Sequence, residues 1–284
     1  MIGGILYGLG AALGWGVSDF MAARAVRTLG VTLTIVYFQV IGILSFGVVL
    51  ALVGDLPQPA LPTWALLFGI SLFNSAGAFF IYRAYMVGTV SLVAPIVSSY
   101  GVITLALAVL FSGEQPTQIA IGGALITVFG VILVSMIPPD RTGATQLSLR
   151  GIPAALGAML SFGIYLWAID LVIADTGVLL PVMTGKITDM LLAIGLLFVR
   201  RRPFIRPSRG LWWRIVAVST LNSIGFLAYN IGVTMADAAI VGPISSLASP
   251  VTILLAWLFF RERLSRIQWA GVTIILIGVI LISQ

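Results

Sequence analysis

Lys186 is the only lysine in this chain of 284 residues, and Asp189 follows three residues later in a stretch that is otherwise nearly all apolar. In a helix that spacing puts both side chains on one face, a turn apart. A span that starts near Val178 and rises about 1.5 Å per residue carries Lys186 roughly 12 Å deep. An ionisable group at such depth is costly and marks a functional site by default. Two chemistries are open. In one, Lys186 and Asp189 form a static pair that neutralises itself. In the other, Lys186 meets an anionic group such as a carboxylate, and Asp189 tunes it or takes a proton.

Further polar residues lie within apolar stretches. Asn74 and Asn222 can each bond across to a neighbouring helix, at about 0.6 kcal/mol on average, or turn an amide to a ligand. Gln39 sits at mid-span depth. Tyr82, Tyr100, Tyr229 and Asn230 offer hydroxyls and an amide, and Trp15 and Trp167 offer stacking surfaces. Asp19 is placed to pair with Arg24 near one membrane face, and Asp170 to be solvated near the other. Pro95 and Pro243 each remove a backbone donor and kink a helix. Pro250 adds a second break, and Ser98, Ser99, Ser245, Ser246 and Ser249 lie close by. Broken helices at matched places in two halves point to a midplane binding site, whereas a single kink serves packing.

What is missing narrows the chemistry. Without histidine or cysteine, haem ligation by His, thiolate metal sites, Cys nucleophiles and His relays are all ruled out. No phosphate-cradling glycine loop follows a strand, and no two carboxylates stand at a catalytic spacing. The expectation is a protein that is not an enzyme and holds neither cofactor nor metal.

The elements that carry these residues are membrane helices. Hydrophobic residues make up 60% of the chain and charged residues 8%, against about 25% charged in soluble domains. Ten stretches are long enough to span a bilayer: 3–23, 31–53, 63–83, 90–111, 117–137, 151–173, 178–199, 211–233, 238–260 and 266–283. None alternates as a β-barrel strand does. The first is too long, and too poor in preceding positive charge, for a cleavable signal peptide.

The chain repeats itself. Residues 74–135 align without a gap on 222–283, matching Asn74-Ser75 with Asn222-Ser223, Gly77 with Gly225, Pro95 with Pro243 and Glu114 with Glu262. Roughly a third of these positions are identical, as in a true internal repeat. Upstream the match is weaker and shifts by one residue: Leu9-Gly10-Ala11 falls on Leu156-Gly157-Ala158, Gly16 on Gly163, and Gln39 on Lys186. Two repeats are expected, 1–137 and 151–284, joined by 138–150. Five spans per repeat is odd, so the second enters the membrane from the opposite side. Every arginine follows an odd-numbered span or ends one: Arg24, Arg27, Arg83, Arg141, Arg150, Arg200, Arg201, Arg202, Arg206, Arg209, Arg214, Arg261, Arg263 and Arg266. Short Arg-rich loops stay cytoplasmic, which puts both termini outside. Topology thus explains the pI near 10.2, and nucleic acid is an unneeded partner. Gly4 with Gly8, Gly10 with Gly14, and Gly123, Gly130, Gly271 and Gly278 mark close helix packing.

With these residues in view, the end of the second repeat (Arg261-Glu262-Arg263-Leu264, Ile267, Gly271, Ile275, Gly278-Val279-Ile280-Leu281) resembles an EamA repeat of the drug/metabolite transporter superfamily. Glu114, Gly123 and Gly130 repeat it in the first half, and Leu13-Gly14-Trp15-Gly16-Val17-Ser18-Asp19-Phe20 resembles that family's opening helix. The resemblance implies a ten-helix secondary transporter, often an exporter of amino acids or related metabolites, in which the fifth and tenth helices pack outside and the other eight enclose the cavity. The expectation is an all-α membrane protein of two inverted five-helix repeats in the cell membrane. It moves a small-molecule substrate by alternating access and is surrounded by the lipid bilayer; a monomer and a homodimer both stay open. A channel needs a continuous polar stripe, and a membrane enzyme needs an acid, base or metal constellation; neither pattern is present.

Overall fold

A computed structural model describes residues 2–53, 56–115, 117–135, 149–201, 203–260 and 265–282. The described residues are helical, without strands. Apolar chain in lipid must satisfy its backbone internally, and a helix does so within one segment. In order come α1 (Ile2–Leu29), α2 (Val31–Val53), α3 (Leu61–Val87), α4 (Val90–Ser98), α5 (Tyr100–Leu107), α6 (Gln118–Ser135), α7 (Ile152–Asp170), α8 (Ile173–Thr176), α9 (Leu180–Val199), α10 (Arg209–Val233), α11 (Ala238–Ser245), α12 (Ala248–Leu255) and α13 (Arg266–Ile282). A π-helical turn, Ala108–Ser112, extends α5, and another, Ala256–Phe260, extends α12 at the matching place of the repeat.

Eight of the described helices are long and apolar enough to cross a membrane, with α4–α5 and α11–α12 each counted as one span. The apolar stretches of α6 and α13, Gln118–Gly130 and Trp269–Leu281, are shorter. Most of the linker 138–150 lies outside the described residues, as do Glu262, Arg261 and Arg263.

Two boundaries differ from the sequence expectation for one reason. The first span runs to Leu29 rather than 23, and the third to Val87 rather than 83. Arg24, Arg27 and Arg83 do not end their helices, because a long side chain reaches water from a continuing helix. Arg27 then binds the end of α3, donating to the carbonyls of Tyr85 (3.1 Å) and Gly88 (3.0 Å). Gly30, at φ +78°, makes the turn into α2.

The packing pairs exchange between the halves. α1 lies on α10 and α3 lies on α7, while α2 meets α9 and α6 meets α13. The glycines explain how closely they approach. A Cβ on Gly14 would lie 3.2 Å from the Cα of Gly225, and one on Gly130 would lie 2.8 Å from the backbone nitrogen of Ile275. The outward surface is apolar, with Leu6, Leu13, Leu44, Phe129 and Trp257 exposed. The described charges divide by end. Arg27 holds the end of α3 and Tyr37 donates to the carbonyl of Ile205 at one end, while Glu114, Asp170 and Asp237 lie near one another at the other.

Candidate functional site

The prolines break their helices a turn downstream rather than at the proline itself. α4 stops at Ser98 and α5 starts at Tyr100, with Ser99 near ψ 7°. α11 stops at Ser245 and α12 starts at Ala248, with Leu247 near ψ 3°. Serines add donors at the breaks: Ser99 donates to the carbonyl of Pro95 (2.8 Å), and Ser245 and Ser246 donate to that of Gly242 (2.7 and 3.1 Å), which also keeps its bond from the Ser246 backbone N–H. The hydroxyls of Tyr100 and Ser245, 2.9 Å apart, tie one break to the other.

Both breaks border one cavity of about 60 Å³ between the halves, room for about four waters. Its polar wall is Asp19, Gln39, Asn74, Tyr82, Ser98, Tyr100, Asp189 and Asn222; Trp15, Phe162 and Phe226 supply aromatic surface. No lining residue comes from α6 or α13, so that pair stands outside the cavity.

Asp189, 2% exposed, is gripped by neutral donors from two other helices. Gln39 Nε2 donates to its Oδ2 at 2.7 Å, Ser75 Oγ to its Oδ1 at 2.5 Å, and Asn74 Nδ2 reaches both oxygens at 3.2 Å. Charge-assisted bonds of this kind are the strong ones. Lys186 and Asp189 feel each other's charge but make no direct contact. The carboxylate turns to α2 and α3, whereas Lys186 turns to Gly42 of α2 and Ser219 of α10. One face of a helix can still serve two neighbours, because side chains leave it in different directions.

Asp19 departs from expectation too. It borders the cavity and accepts from Tyr85 Oη at 3.1 Å, not from Arg24, which is exposed. The aspartate faces inward from α1 while the arginine faces out.

Of the residues singled out in the sequence, Trp15, Gln39, Asn74, Tyr82, Ser98, Tyr100, Asp189 and Asn222 meet at the cavity. Five stand off it. Lys186 is buried behind the wall. Tyr229 supports Trp15 from behind, with ring centroids 5.8 Å apart, and donates to the carbonyl of Leu166. Asn230 donates to the carbonyl of Val178, and Trp167 to Ser112 Oγ. Ser246 closes its own helical break. Ser75, Phe162 and Phe226 were not singled out. Phe162 was legible from the repeat: the offset that pairs Gly16 with Gly163 pairs Trp15 with Phe162. The structure treats those two alike. Trp15 packs where a Cβ on Gly225 would lie 2.5 Å away, and Phe162 where a Cβ on Gly77 would lie 2.6 Å away.

The described lining thus holds two carboxylates and no cationic side chain. Trp15 Nε1 and Asn74 Oδ1 are buried without a partner. Orphaned groups beside a cavity are where a ligand completes the bonding. Acids at low dielectric attract a cation strongly, and aromatic faces add to that attraction.

Comparison with known proteins gives three findings. The EamA-like transporter family matches residues 2–136 and again residues 149–284. An uncharacterized protein of Methanocaldococcus jannaschii, MJ1333.1, is 31% identical over 98 residues, which cover 34% of this chain and 71% of that protein. A solved crystal structure shares the fold at a TM-score of 0.70 and 20% identity, covering 98% of this chain and 95% of that one.

Proposed function

The chain belongs to the EamA-like transporter family, whose members carry small solutes across membranes, and from that premise we propose that it is an exporter of small organic solutes bearing a protonated amine, amino acids and related metabolites foremost. It works by alternating access between two inverted five-helix halves, 1–137 and 151–284. The Arg-rich end faces the cytoplasm and both termini face outward, in keeping with the positive-inside rule.

One observation carries the substrate class: Asp19 and Asp189 border the cavity, and the lysine does not. An ammonium group donates to a carboxylate, and an apolar body lies against Trp15, Phe162 and Phe226. The small volume supports alternating access over a channel. About 60 Å³ is too small for an amino acid, so the halves must part to admit the solute.

The test is counterflow in proteoliposomes. Preloaded leucine or isopentylamine should drive uptake of the same labelled compound, and succinate should not. Counterflow of succinate without counterflow of either amine contradicts the reading.

A further inference from the structure

Lys186 is 4% exposed, yet it makes no ion pair or hydrogen bond with the described residues. It feels the charge of Asp189 without touching it, and an ammonium so short of contacts within a membrane protein is costly. Its position has a counterpart. The repeat offset that sets Gln39 opposite Lys186 also sets Gly42 opposite Asp189. Gln39 of the first half reaches Asp189 of the second. In mirror fashion, Lys186 of the second half reaches Gly42 of the first: a Cβ there would lie 2.9 Å from Lys186 Nζ and 3.1 Å from Ser219 Oγ.

The polar frames around the two positions also correspond. Asn74 and Ser75 grip Asp189 from α3. Their repeat partners on α10 are Asn222 and Ser223, and the partner of Ser71 is Ser219. The same frame therefore exists twice. One copy holds a carboxylate. In the other, the place of the carboxylate is a bare glycine with an ammonium beside it. Asn222 borders the cavity and makes no hydrogen bond to the described residues, whereas Asn74 is committed to Asp189.

We propose that Lys186, with Ser219 and Asn222, forms an anionic-group subsite that takes the carboxylate of a zwitterionic solute whose ammonium lies at the acidic side of the cavity. The proposal rests on the transport reading above and gives the carboxylate of an amino acid its place. A carboxylate beside Gly42 fills the position that Asp189 fills in the other frame. It accepts from Lys186 Nζ and from the Asn222 amide. Ser219 Oγ donates to the carbonyl of Phe38 at 2.5 Å and so holds α10 against α2 at the niche. Lys186 stands behind the cavity wall, so its niche joins the cavity only as the halves part around the solute.

A lone lysine makes the test direct. Lysine labelled with ¹⁵N gives one side-chain signal, Lys186 Nζ, read in nanodiscs. The probes are leucine, isopentylamine (leucine without its carboxylate) and 4-methylpentanoate (leucine without its amine). Leucine and 4-methylpentanoate should move the signal, and isopentylamine should not. Lys186→Met should cost leucine affinity about tenfold or more relative to isopentylamine, the loss of one charged contact. Asn222→Ala should lower the same ratio in the same direction, which separates recognition from a folding defect of the lysine variant. A signal that moves equally with isopentylamine, or one unmoved by bound leucine, overturns the subsite. So does an unchanged leucine-to-isopentylamine ratio in Lys186→Met. Each of those outcomes leaves amine transport standing. Absence of counterflow for both leucine and isopentylamine overturns the transport reading as well.

Discussion

Asp189 takes its bonds from residues far away in sequence, Gln39, Asn74 and Ser75. That grip gives a sharp expectation. Asp189→Asn keeps the shape but puts an amide against donors, leaving at least one of them unsatisfied. A buried donor without an acceptor costs about 1–3 kcal/mol, which should appear as a lower Tm. Amine counterflow should fall to background, because half of the acidic wall is gone. Unchanged counterflow in a folded variant would remove Asp189 from the site. Helical spacing made the depth and shared face of Lys186 and Asp189 legible, but not their partners. Spacing fixes a position along one helix, whereas partners depend on how the neighbouring helices are rotated. The same limit hid the inward turn of Asp19 and the placing of Trp167 at the mouth of a π-helical turn.

The broken helices belong to the scale of elements. Pro95 and Pro243 were legible as matched disruptions, while the break itself, a turn later, was not. Serine hydroxyls compete for the backbone carbonyls there and set where the helix resumes. Pro243→Ala returns a donor to the ladder and should straighten α11 into α12. That would shift Ala248 in the cavity wall, so transport should drop by a larger factor than stability suggests. Equal counterflow by Pro95→Ala, Pro243→Ala and the wild type would show that the breaks serve packing alone. Packing glycines make the opposite prediction. Gly130→Leu must collide with the backbone of α13, and overpacking costs about 1–3 kcal/mol. The outer pair α6–α13 should loosen and Tm should fall, while the solute preference among molecules still folded stays the same, since neither helix borders the cavity.

At the scale of the whole molecule, the two ends differ in charge. Glu114 lies with Asp170 and Asp237 at the end away from Arg27, where partial burial pushes its carboxyl above the usual range, with Asp237 and Asp170 adding to the rise. A raised carboxyl binds its proton more tightly when folded, so its contribution to stability is complete below a pH of about 4.5 and is lost as pH climbs through the raised value. The stabilising effect of Glu114→Gln, followed by thermal melts, should therefore grow as pH rises from about 4.5, the ordinary value of the group. A constant effect at every pH would mean that neither burial nor the acidic neighbours raise the Glu114 carboxyl on folding. Composition and the gapless repeat made the membrane class and the two-part architecture legible before any coordinates, because burial in lipid and duplication both write themselves along the chain. The wall of the cavity was only half legible, since it is assembled from both halves at once.

The chain has no cysteine, so a single one can report on the cavity. Ala78 borders it and is 8% exposed. Ala78→Cys should react with a small membrane-impermeant maleimide in right-side-out vesicles and also in inverted vesicles. Leucine or isopentylamine should slow the reaction from both sides. Labelling from one side only, at a rate that neither compound changes, would contradict a solute cavity that opens alternately to the two faces of the membrane.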